Sequence, residues 1–214
     1  MLFSVLWLAL SASAWAADGD EVQIWTEAGI EADLPKHFEL SLSEQLRVIP
    51  GQGVFAKELL TDLALSYSDW KHLELSLGYR YGLLDLGGQD AGRTQRLHLD
   101  VDTDWKVGPV RLDGRVRYQR RAPWTDEDPK HTLRLKVGVR PRVKWDAVPY
   151  ASLEPWKRFG DPGLQKLRGE VGVRYSQKHW GAKVYYRPEF PISDPSDPRN
   201  HIIGVSFTGA VDLD

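Results

Sequence analysis

The sequence predicts an all-β protein: a closed, antiparallel, up-and-down transmembrane β-barrel of about 10–12 strands. Three observations carry this. Apolar and polar residues alternate with period two from residue 21 almost to the end, with no convincing helical period. Turn-rich segments such as Leu34-Pro35-Lys36-His37, Lys106-Val107-Gly108-Pro109 and Asp194-Pro195-Ser196-Asp197-Pro198 cut the chain at regular intervals. Finally, Trp70, Trp105, Trp145 and Trp180 each sit beside a short turn, separated by 35, 40 and 35 residues, about one hairpin each.

Composition narrows the alternatives. With no cysteine among 214 residues, a disulfide framework, a thiolate metal site and a lipid-anchored N-terminal cysteine are excluded. An aromatic content of 11% gives the chain apolar surface that it must bury or place in lipid, which argues against disorder. A net charge of −2 leaves no footprint for nucleic-acid binding. Only one apolar run is long, and it lies at the N-terminus, so a helical membrane protein does not fit.

That first run, Leu2 to Leu10, is followed by small residues and Ala14-Trp15-Ala16. It reads as a secretion signal, residues 1–16, cleaved after Ala16, although its leading residues carry no Lys or Arg. Residues 17–214 then form one domain. Strand-like runs follow in order at 21–33, 38–48, 58–68, 72–84, 95–105, 110–121, 131–140, 148–157, 166–176, 181–188 and 201–212. No shift in composition interrupts them.

Each run has two unlike faces. The fourth sets Leu73, Leu75, Leu77, Tyr79, Tyr81 and Leu83 against His72, Glu74, Ser76, Gly78, Arg80 and Gly82. The fifth sets Leu97, Leu99, Val101, Thr103 and Trp105 against Arg96, His98, Asp100, Asp102 and Asp104. The sixth, seventh, ninth and last repeat the pattern. In a soluble sandwich or barrel the apolar face would be the core. In an outer-membrane barrel it would meet lipid, with the charged face lining the lumen. Three features favour the second. Tyr67, Tyr79, Tyr81, Tyr118 and Tyr175 lie toward strand ends, where headgroups and water satisfy a phenol hydroxyl. The four tryptophans stack at one level, as an interfacial girdle requires. The chain also combines a secretion signal with an absence of cysteine.

Two features resist. Glu44 falls on the apolar face of the second run, which predicts either a β-bulge near Ser43 that turns it inward or a place near the membrane interface. Eleven runs conflict with the even strand count usual in bacterial barrels: either one run is not a barrel strand, the N-terminal run first among them, or a twelfth is hidden. The longer connections (49–57, 85–94, 122–130, 158–165 and 189–200) all fall at one end. If that end is outside, the C-terminus is periplasmic.

The inward faces predict a ladder of charge. Pairing the fifth and sixth runs about a 106–109 turn sets Asp104 against Arg111, Asp100 against Arg115 and His98 against Arg117. Asp102 then meets Asp113, with arginines diagonal to it. Glu170 falls opposite Arg187 about a 177–180 turn. A barrel this small is largely filled by its side chains, so the lumen should be packed and ion-paired. Inward carboxylates on one strand rise about 6.6 Å apart, too far for His98, Asp100, Asp102 and Asp104 to share one metal ion. Arg111, Arg115, Arg117, Arg120, Arg121, Arg134, Lys136 and Arg140 would form a positive wall attractive to anions or phosphorylated lipids, or else partner Asp113, Asp100, Glu154 and their neighbours. The near-zero net charge favours partnering. No G-x-S-x-G, H-E-x-x-H or Gly-rich phosphate loop occurs, so neither a catalytic residue nor a cofactor is predicted.

Several short segments together resemble a known family. They are Gln23-Ile24-Trp25-Thr26, Leu40-Ser41-Leu42-Ser43-Glu44-Gln45-Leu46-Arg47, Asp62-Leu63-Ala64-Leu65-Ser66-Tyr67, Gly78-Tyr79-Arg80, Arg115-Val116-Arg117-Tyr118-Gln119-Arg120, Pro149-Tyr150-Ala151-Ser152-Leu153-Glu154 and His201-Ile202-Ile203-Gly204. In this order they resemble the bacterial domain of unknown function 2490, grouped with outer-membrane β-barrels. The resemblance implies a location and a fold, and no activity. The terminal Leu213-Asp214 departs from the aromatic ending common in such barrels. The sequence thus points to a monomeric outer-membrane barrel of unknown activity. Its partners would be the lipid bilayer and the barrel-assembly and secretion machinery. A narrow pore or carrier, an envelope lipid-modifying enzyme and a soluble periplasmic protein with apolar ligands are the alternatives.

Overall fold

A computed structural model describes residues 20–50, 55–86, 92–123 and 128–212. The predicted signal, residues 1–16, lies outside the described residues. Eleven strands follow in chain order: β1 (Glu21–Leu34), β2 (Phe38–Ile49), β3 (Phe55–Tyr67), β4 (Leu73–Leu84), β5 (Gly92–Val107) and β6 (Val110–Pro123). The rest are β7 (Lys130–Pro141), β8 (Ala147–Arg158), β9 (Lys166–Ser176), β10 (Trp180–Pro191) and β11 (Asn200–Asp212). Each matches a predicted run to within three residues. Every strand pairs antiparallel with its neighbour in sequence, and β1 closes onto β11 to complete the barrel.

Eleven strands fall within the predicted 10–12, and the odd count adds one parallel seam to the otherwise antiparallel barrel. β1 pairs with β11 in parallel, from Glu21 opposite Asn200 to Asp33 opposite Asp212. The reason is arithmetic. When strand direction alternates, the first and last of eleven point the same way. β1, the run singled out for discounting, is hydrogen-bonded on both edges, to β11 and to β2. A parallel ladder is slightly weaker per residue, but closure leaves no strand edge open.

The alternation sorts the faces as an inside-out protein. Leu99, Val137, Val171, Val184 and Phe207 are exposed on the outside, Val137 at 63%. His98, Asp100, Glu154, Glu170 and Glu189 are buried inside, each at 5% exposure or less. An apolar cluster of buried residues is also inside: Trp25, Tyr185 and Ile202, with Tyr150 packed against it. Glu44 stays outward and exposed at mid-strand, opposite Thr61, whose hydroxyl donates to its Oε1 at 2.6 Å. The irregularity in β2 falls at Arg47/Val48 and not at Ser43, so no bulge turns Glu44 inward. Its charge is met by a neighbouring hydroxyl instead.

Large inward side chains need a facing gap. A Cβ on Gly204 would come within 2.0 Å of the Tyr185 ring, and one on Gly78 within 2.1 Å of the His98 ring. Glycine at these two positions is therefore a packing requirement. Gly204→Val should destabilise the barrel by about 1–3 kcal/mol through overpacking. The measurement is urea unfolding of the refolded protein, with Gly209→Ala, where a Cβ meets nothing within 4 Å, as the control of smaller effect.

Candidate functional site

The lumen gathers the ionisable side chains, and its wall between β5 and β6 carries the predicted ladder. The predicted register there is corrected by two residues. Val107 pairs with Val110, so only Gly108 and Pro109 turn the chain. Gly108 has φ of 55°, a conformation that glycine adopts without a steric penalty, and this lets Lys106 and Val107 remain in strand. Consequently Asp100 lies opposite Arg117, Asp102 opposite Arg115, Asp104 opposite Asp113 and His98 opposite Gln119. The inward face is unchanged, because a shift of two preserves parity.

The contacts follow that register. Arg117 Nε donates to Asp100 Oδ1 at 2.7 Å, and Arg115 Nε to Asp102 Oδ1 at 2.7 Å. The Asp104–Asp113 pair of like charges is relieved diagonally. Arg111 bridges to Asp104 and lies 4.0 Å from Asp113, while Arg140 Nη2 reaches Asp113 at 3.1 Å. His98 sits 3.9 Å from Asp62 and is not paired with Arg117. Across the barrel, Arg187 Nε donates to Glu170 Oε2 at 2.6 Å, and the Tyr150 hydroxyl donates to Glu170 Oε1 at 2.7 Å. Of the proposed positive wall, Arg120 lies outside on an exposed position, and Arg134 is bound to Glu154.

A second network spans β7 to β10, of which the sequence offered only Glu154 as a partner for the arginines. Arg134 donates to both oxygens of Glu154, at 2.8 and 3.0 Å, in a bidentate pair. Arg168 joins Glu154 to Glu189, and Lys166 reaches Glu189 at 2.8 Å. Trp156 donates Nε1 to Glu154 at 3.0 Å, with the Arg134 guanidinium 4.0 Å from its ring centroid. On the opposite wall Arg47 lies 3.8 Å over Trp25. Period two sets Trp25 on the face of Gln23 and Glu27, and Trp156 on that of Glu154 and Arg158. Inward tryptophans among charges were the available signal for cation–π contacts.

The outer surface has two aromatic levels. Trp70, Trp105, Trp145 and Trp180 are exposed at the end of the barrel that holds the short turns, and two of them, Trp70 and Trp145, also line the mouth of the lumen there. Trp70 packs edge-on to Tyr67, Trp105 stacks on His72, and Trp180 tilts against Tyr175. Toward the other end, Tyr118 and Tyr186 each share a 2.6 Å hydrogen bond with a histidine Nδ1, of His131 and His201 respectively.

Three cavities lie in file along the lumen. The largest, about 760 Å³, opens at the short-turn end and is lined by Asp102, Arg111, Arg115 and Lys183 among others. The middle one, about 410 Å³, shares Arg115, Lys136, Glu170 and Lys183 with it. The third, about 360 Å³, shares Arg96, Arg121, Lys166 and Glu189 with the middle one. Among the described residues no group of three or more His, Asp or Glu side chains is placed to hold a metal ion.

The two kinds of ion pair should differ in cost. Asp100→Asn leaves the Arg117 guanidinium, 11% exposed, without its carboxylate, and should cost about 3–5 kcal/mol. Asp113→Asn, at a carboxylate 43% exposed, should cost about 1 kcal/mol or less. Urea titrations of both variants, scored against the parent, check this.

A family model described as a protein of unknown function (DUF2490) matches residues 22–194, from the second residue of β1 to the loop after β10. Among solved structures, LpxR from Salmonella typhimurium is similar, with a TM-score of 0.53 and 12% sequence identity, covering 81% of this chain and 83% of that one. At that identity the likeness concerns the fold. No curated protein matches this chain. The matched stretch takes in ten of the eleven strands, and the chain belongs to the DUF2490 family.

Proposed function

We propose that this protein is an outer-membrane β-barrel whose polar lumen, closed to lipid, is the seat of its activity. One observation carries the reading: exposure is reversed relative to a soluble protein. Leucine, valine and tyrosine face outward around the barrel, while carboxylates and guanidiniums fill its interior. In water such a surface would be one continuous apolar patch, far beyond the few hundred Å² that soluble monomers usually expose. In a bilayer it is the lipid-facing band, and the Trp level and the Tyr–His level become its two interfacial belts. The barrel fold shared with LpxR is compatible with this location. On this reading the short-turn end and the C-terminus are periplasmic.

The file of three cavities sharing walls favours a second, narrower reading, a path for small solutes through the lumen. The ion pairs between them leave no wide channel, so conduction would be slight.

Cell fractionation tests the location. The protein should extract only with detergent and should migrate faster on gels unboiled than boiled; release with the soluble periplasm would reject the reading. Planar-bilayer recording tests the path. Small steps above background are expected from the refolded protein, and their absence would leave a closed barrel.

A further inference from the structure

Arg80, Arg96 and Arg121 stand abreast on three adjacent strands. Arg96 lies opposite Arg80 across β4–β5 and opposite Arg121 across β5–β6. All three line the middle cavity of the lumen. Like charges directly opposite are destabilising, so such a row needs compensation. Elsewhere in the lumen the buried carboxylates supply it. Here the supply is incomplete. Arg80 Nε donates to Asp62 at 2.5 Å, and Arg121 Nε donates to the neutral hydroxyl of Thr94 at 3.1 Å. Among the described residues Arg96 has no ion pair, and its Nε is buried with no acceptor. A buried cationic donor with no partner is costly.

The cavity wall has the same bias. Thirteen lysines and arginines line it against five glutamates. Asp62, Asp100 and Asp102, which pair with Arg80, Arg117 and Arg115, do not line it, and Asp102 lines the adjoining cavity toward the short turns instead. Arg96, Arg121 and Lys57 also line the adjoining cavity toward the long connections. Adjacent strands are spaced about 4.8 Å apart, so neighbouring guanidiniums are close enough to hold one tetrahedral oxyanion between them. The planar fork of arginine matches such an anion in geometry as well as in charge.

We propose that Arg96, flanked by Arg80 and Arg121, is the centre of a binding site for a phosphate group. The phosphate completes the row by accepting from the donors that the protein leaves unpaired. The hydrogen-bonded wall separates the site from the outside of the barrel, so a phosphate reaches it along the lumen, either free or carried on a headgroup that enters by the mouth. The inference needs the closed lumen and neither the membrane location nor conduction. Its failure would leave the proposed location standing, and a failed fractionation would leave the binding test valid.

The test uses the full-length protein refolded in detergent, with folding checked by heat-modifiable migration. Inorganic phosphate is titrated at constant ionic strength against chloride, read by tryptophan fluorescence, since Trp156 lines both cavities. Mixed micelles containing phosphatidic acid form a second arm. Saturable binding of inorganic phosphate is expected, weakened about tenfold or more in Arg96→Gln and less in Arg96→Lys. Arg142→Gln, which removes a cation at the far cavity, should bind as the parent does. Binding confined to the lipid arm, and lost in Arg96→Gln, assigns the phosphate to a headgroup. Thermal melting separates a ligand site from a structural one. Without phosphate, Arg96→Gln should melt at or above the parent temperature, and phosphate should raise the melting temperature of the parent only. Absence of binding in both arms, binding by Arg96→Gln equal to the parent, or a lower melting temperature for Arg96→Gln overturns the proposal. Should Arg96→Gln not fold, Arg121→Gln and Arg96→Lys carry the same comparison.

Discussion

Closure of the sheet is the constraint on which everything else depends. Eleven strands joined edge to edge give each strand a partner on both sides and leave two surfaces, one enclosed and one not. The enclosed surface receives every second residue of each strand. In this sequence those residues are mostly charged, so the interior must neutralise itself. Among the described residues the buried carboxylates, Asp100, Glu154, Glu170 and Glu189, each meet at least one arginine. Removing one member of such a pair strands the other in a medium that solvates it poorly.

The interior is therefore both scaffold and candidate site. Most of its charge is committed to structure: two networks, one on β5–β6 and one on β7–β10, lock adjacent strands together. Trp25 and Trp156 add flat faces on which guanidiniums rest. The row of Arg80, Arg96 and Arg121 breaks the pattern. A fully paired lumen would be a plug. An under-paired row beside a cavity is the arrangement that a ligand can complete.

Much of this was legible from residue order. The period-two alternation located all eleven strands and assigned nearly every side chain to a face, because parity survives small errors in strand ends. The members of the β5–β6 ladder were identifiable for the same reason. Their partners were not. The 106–109 segment reads as a four-residue turn until the positive φ of Gly108 is known, and two residues of slippage exchange every rung. Trp25 and Trp156 lie directly opposite Arg47 and Arg134 on neighbouring strands, so their stacking depends on the register of β1–β2 and β7–β8.

The sequence by itself determined the fold class, the strands and which residues face in or out, since these depend only on local alternation and turn chemistry. Tertiary structure decided the rest. Parallel closure of β1 on β11 follows from the odd strand count of a closed sheet. The pairing of each charge and the isolation of Arg96 between two other arginines are set by register across strands, a property that no single segment contains.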